Sequence, residues 1–117
     1  MGGPDEAVRP VRVSPGDLQV MVSGAGRHHE VRLLGELDLA TAGQLRHELE
    51  RLTSEGATLV TVDMTDLAFI DSTGLSVLVR ALKGLRRQGG DMELHGPGPG
   101  TRKVLEITGL SELFSIS

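Results

Sequence analysis

Apolar and polar residues alternate at the start of the chain, with Leu18, Val20 and Val22 in phase and Val31 and Leu33 continuing the pattern. A period of two predicts strands with one buried face. Gly24-Ala25-Gly26 lies between them and reads as the turn of an antiparallel hairpin. The period then changes. Ala42, Leu45, Leu49 and Leu52 fall on one side of a helix, and Arg46, His47, Glu50 and Arg51 fall elsewhere. Thr41-Ala-Gly-Gln44 matches a capping box, and Gly56 is placed to end that helix. Leu59-Val-Thr-Val62 is a β-branched run that predicts a buried central strand. After Ser72 come Leu75, Leu78, Val79, Leu82 and Leu85 in one helical arc, with Ser76, Arg80, Lys83 and Arg87 roughly opposite. Gly89-Gly90 ends that helix, and Met92-Glu-Leu94 predicts another strand.

The last third is shorter-grained. Gly96 to Gly100 reads as a loop, with Pro99 where first-turn prolines are favoured. Val104, Leu105 and Ile107 predict a short helix stopped by Thr108-Gly109, and Leu110, Leu113 and Phe114 pack or pair beyond it. The order β-β-α-β-α-β-α implies right-handed crossovers and parallel pairing after the hairpin. The expected class is α/β, with a mixed, mostly parallel sheet of four to five strands and helices packed against it. Residues 1–16 are rich in Gly and Pro without periodicity and read as a flexible tail. Residues 17–117 then form a single domain.

Composition narrows the function. The net charge of -4 argues against a general nucleic-acid binder. Phe69 and Phe114 are the whole aromatic complement, so base-stacking platforms are nearly excluded. With no cysteine there is no disulfide, thiol chemistry or zinc-thiolate site. No apolar run approaches the roughly 20 residues of a membrane span. These features point to a cytoplasmic protein without membrane insertion.

Candidate chemistry centres on Asp71-Ser72-Thr73-Gly74, where a buried strand hands over to a helix. Unpaired N–H groups and the positive end of the helix dipole gather there. Three readings follow: a capping hydroxyl, a phosphorylated hydroxyl, or a nucleophile. The nucleophile elbow is not present, because Ile70 stands where its first glycine belongs. His28, His29, His47 and His95 read as solvated rather than metal ligands. Asp63, Asp66 and Asp71 read as turn formers rather than a magnesium site. The loop from His95 to Thr101 is no phosphate cradle, since Pro97 and Pro99 lack N–H donors. No cofactor or metal is expected.

Three segments in order carry a family resemblance: Gly35-Glu36-Leu37-Asp38 with Thr41-Ala42, Phe69 to Leu75, and Pro99 through Arg102-Lys103-Val104-Leu105 to Thr108-Gly109-Leu110. Together they resemble the bacterial anti-sigma factor antagonists of the STAS-domain family, over about Leu18 to Phe114. The resemblance implies a non-enzymatic switch. Such a protein binds an anti-sigma factor that is also a serine kinase, and so frees a sigma factor. The kinase phosphorylates the serine after the aspartate, here Ser72, with Thr73 in second place. The phosphorylated form releases the partner, and a PP2C-type phosphatase resets it. Asp38, Asp71, Thr73, Gly74, Ser76, Arg80 and Lys83 are the expected partner-binding residues. The alternative is a STAS subunit of a signalling or lipid-transport assembly, in which Ser72 is only a cap.

Overall fold

The computed structural model describes residues 14–117. The expected tail therefore falls almost wholly outside the described residues. Its last three residues form a turn, in which Asp17 N donates to Ser14 O and Gly16 N to the Glu36 carboxylate. Five strands follow in spatial order β1-β2-β3-β4-β5, the order of the chain. They are β1 (Leu18–Ala25), β2 (His28–Leu37), β3 (Leu59–Ile70), β4 (Asp91–His95) and β5 (Ser115–Ile116). The first pair is antiparallel and the others are parallel. Three helices connect the parallel strands: α1 (Ala42–Ser54), α2 (Ser72–Arg87) and α3 (Pro99–Ile107). A 3-10 turn at Leu110–Glu112 precedes β5.

Because each crossover steps one strand in the same direction, right-handedness puts all three helices on one face. Burial follows suit. Val60, Val62, Met92 and Leu94 are buried, while Thr61, Asp63 and Glu93 alternate with them on the open side. The buried central strand expected at Leu59 to Val62 is found at Val60 and Val62 and corrected at Leu59. β3 is central but covered on one side only, and Leu59 is 37% exposed. The strand also continues to Ile70, past two register shifts against β2. Asp63 and Asp66 thus lie within the strand rather than in a turn. Asp63 accepts from Thr65 N and Oγ1 at the first shift, and Asp66 pairs with Arg32 across the ladder. Each shift inserts an unopposed residue and bends the strand.

The hairpin turn is Gly26-Arg27, two residues after its expected start, so β1 runs through Gly24 and Ala25. Gly26 at φ +63 suits the first central position of a type II′ turn, whose twist matches the flanking strands. In α1, Ala42, Leu45, Leu49 and Leu52 are buried as the period requires. In α2, Val77 is buried beside Leu75, Leu78, Leu82 and Leu85, while Val79 is only partly so. The apolar arc is rotated toward α1, which packs alongside. Pro99 occupies the first turn of α3, Leu105 is buried, and Ile107 is 74% exposed. Phe114 closes the core as the chain enters β5.

Candidate functional site

Two loops meet at the carboxyl ends of β2 and β3. At the first, the Asp38 side chain accepts from Ala40 N at 3.0 Å and from Thr41 N at 3.2 Å. The Thr41 hydroxyl donates to Glu36 O at 2.8 Å and accepts from Asp38 N at 3.0 Å. The expected capping box is therefore not formed. Thr41 is buried and turned back toward β2, and the Gln44 amide reaches Leu18 O instead of the cap. Asp38, four residues before α1 begins at Ala42, satisfies the loop amides instead.

At the second loop, Asp71 is the cap of α2. Its Oδ1 accepts from Gly74 N at 3.0 Å, and its Oδ2 accepts from Leu39 N at 3.2 Å. Asp71 N also donates to Leu37 O at 3.1 Å. One residue thus ends β3, starts α2 and ties down the loop before α1. Ser72 is the first helical residue and is exposed. Among the described residues its hydroxyl has no hydrogen-bond partner, so the capping reading of Ser72 gives way to Asp71. Thr73 is half-buried and lines a groove between α1 and α2. Gly74 is buried, and a Cβ there would sit 2.6 Å from Leu37 Cγ and 3.1 Å from Ile70 Cγ1. Its role is close packing of the helix start on the sheet.

The groove holds about 520 Å³. Ser76, Val77 and Arg80 line it from α2, with Arg46, Leu49 and Glu50 from α1. The Ser76 hydroxyl donates to Ser72 O at 3.0 Å, within its own helix. Arg80 and Lys83 are exposed and form no ion pair among the described residues, whereas Arg86 pairs with Asp91. Lys83 lies outside the groove lining. The site therefore brings Ser72, Thr73, Ser76 and Arg80 to one surface, with Asp38 and Asp71 as its frame. Leu39, 78% exposed, and Phe69, 50% exposed, are not among the residues expected from the sequence at this surface. Both border the same loops. The signal for Phe69 was a large apolar residue directly before the buried Ile70, out of phase with it.

No histidine hydrogen-bonds Ser72 among the described residues. His95 Nδ1 lies 3.1 Å from Ser117 Oγ, across the β4–β5 pair. The same residues contain no cluster of three or more His, Cys, Asp and Glu suited to a metal ion. No helix among them is long and apolar enough to cross a membrane.

Known proteins share this architecture. A family model described as the STAS domain matches residues 19–117. The anti-sigma-B factor antagonist of Listeria monocytogenes is 34% identical over 89 residues, covering 76% of this chain and 78% of that protein. The structure of the anti-sigma factor antagonist SpoIIAA in its unphosphorylated form superposes with a TM-score of 0.75 at 25% identity, covering 85% of this chain and 88% of that one. The Bacillus cell fate determinant SpoIIAA in the phosphorylated form gives 0.69 at 25% identity, covering 85% and 91%.

Proposed function

The chain belongs to the STAS-domain family, and from that premise we propose that it is an anti-sigma factor antagonist switched by phosphorylation of Ser72. In its unmodified form it binds a kinase-type anti-sigma factor in the cytoplasm and frees the sigma factor. The kinase uses ATP to phosphorylate Ser72, and a PP2C-type phosphatase restores the binding form. The protein itself performs no catalysis. The observation that carries the reading is the exposed Ser72 hydroxyl at the first position of α2, free of the capping duty that Asp71 performs. A relative of the same fold solved in a phosphorylated form supports it.

Physical chemistry accounts for the asymmetry between fold and partner. A phosphate adds about -1.5 to -2 charges at neutral pH. At the start of a helix that charge meets free N–H groups and the positive dipole end, so the fold tolerates it. The partner meets the same charge at a contact bordered by Leu39 and Phe69, where desolvating it is unfavourable. Thr73, turned toward the groove and half-buried, is the poorer acceptor. Asp38 and Asp71 set the loop geometry, and Ser76, Arg80 and Lys83 extend the contact along α2.

The test combines a cognate anti-sigma kinase, ATP and intact mass. The wild type takes up one phosphate and Ser72→Ala takes up none. Calorimetric titration then gives phosphorylated protein at least about 100-fold weaker binding, or roughly 2.7 kcal/mol. Ser72→Ala binds constitutively. Equal affinity of the two forms would end the switch reading and leave a STAS subunit that is not regulated in this way.

A further inference from the structure

β1 is an open edge. It pairs with β2 on one side, and no strand stands on the other among the described residues. The opposite edge strand, β5, has two residues, whereas β1 has eight, Leu-Gln-Val-Met-Val-Ser-Gly-Ala. Sheets blunt their edges with short strands, charges, prolines or bulges. β5 is short. β1 has no charge and no proline, and its register against β2 is unbroken from Leu18 to Ala25.

The hairpin says which main-chain groups are free. In a two-residue hairpin the pair closing the turn, here Ala25 and His28, exchanges its N–H···O bonds, and bonded pairs then alternate along the strand. Ala25, Ser23, Met21 and Gln19 therefore face β2. Leu18, Val20 and Val22 direct their N–H and C=O groups outward. The Leu18 carbonyl agrees with this, since it accepts the Gln44 amide from α1 at 3.2 Å. The side chains of Val20 and Val22 are partly buried against the core. A hollow of about 630 Å³ opens beside Val20, between the edge and α1, lined in part by Leu18, Val20, Gln44 and His47.

We propose that β1 is a self-association edge, on which a second copy of this chain pairs its own β1 antiparallel across a two-fold axis. The free groups are main-chain donors and acceptors in strand register, so the occupant is a strand. An identical strand fits, because a neutral strand paired with itself sets no like charges opposite one another. The contact is isologous and closes at a dimer. Val20 and Val22 meet their counterparts on the helix side, with Val20 beside the hollow, while Gln19 and Met21 meet on the open face. Ser72 follows β3, two strands inward, so the pairing leaves the switch accessible in both copies.

Sedimentation equilibrium of the full chain tests this. At about 100 μM, well above a micromolar Kd, the mass is twice the 12.4 kDa of one chain. Val22→Pro removes an outward N–H and no bond to β2, and restores the monomer without loss of the folded state. Met21→Lys sets like charges near the axis and weakens the dimer at least tenfold; it decides the matter should the proline variant fail to fold. In the wild-type dimer the Val20 and Val22 amides exchange slowly with solvent, and in Met21→Lys they exchange fast. A monomer at every concentration overturns the proposal, as does a dimer indifferent to both variants. Slow exchange of these amides in a monomer, lost when residues 1–13 are removed, also overturns it and assigns the edge to that segment.

Discussion

Asp71 accepts hydrogen bonds from Gly74 N and Leu39 N, so one carboxylate holds both loops beneath the exposed Ser72. Removing it should cost more than removing the serine. Asp71→Ala is expected to lose about 0.5–2 kcal/mol as a missing helix cap. Ser72→Ala should stay within about 0.5 kcal/mol of wild type. Thermal melts decide, since 1 kcal/mol shifts Tm by roughly 4–8 °C in a domain of this size. Comparable losses would mean that Ser72 has a structural role. Gly74→Ala is expected to destabilise by about 1–3 kcal/mol, because its Cβ overlaps Leu37 and Ile70 in a packed layer. Denaturant unfolding would check that value. The Asp-Ser-Thr-Gly segment was legible as a helix start from the sequence. The division of labour among its residues was not, because Asp, Ser and Thr are all good caps. Only the backbone path decides which side chain meets the free N–H.

α1 and α2 run side by side and leave a groove with Arg46 and Arg80 on its walls. Arg80 and Lys83 carry charge without an ion-pair partner among the described residues, beside the first turn that bears Ser72. Reversing either charge should slow association with the anti-sigma partner at low salt and leave Tm nearly unchanged. Stopped-flow association at two ionic strengths reads this effect. Arg80→Glu should act more strongly than Lys83→Glu, since Arg80 lines the groove and Lys83 does not. Unaltered rates for both would exclude this helix face from the contact. The helix itself was legible from its 3.6-residue period. Its rotation was not: Val77 is buried and Val79 is partly exposed because α1 packs at the side of α2, not only the sheet beneath.

The whole domain covers one face of its sheet with three helices and leaves the other to polar side chains. On that open face Asp63 is pulled two ways. Burial pushes its carboxyl up, but hydrogen bonds from the Thr65 hydroxyl and amide, with His95 and Arg32 nearby, hold it below the ordinary value. A depressed folded pKa stabilises the native state above the unfolded pKa of about 3.9. That contribution is lost as pH falls below this value and through the lower folded one. Asp63→Asn should therefore lower stability at pH 7, match the wild type once Asp63 is protonated at low pH, and so flatten the acid limb of the stability curve below about pH 4. Chemical denaturation across that range checks it, and an unchanged limb would show that the hydrogen bonds are not kept in solution. By itself the sequence determined the element order through the third helix, the antiparallel hairpin, the parallel remainder and the serine at the start of the second connecting helix, though not the short β5 at the end. These depend on short-range periodicity and on chain-order rules for crossovers. The tertiary structure alone decided that one sheet face stays open, that β3 bends through two register shifts, that Asp71 is the cap, and that Leu39 and Phe69 border the site. Each of these depends on contacts between segments far apart in the chain, where burial is a property of the neighbour and not of the residue.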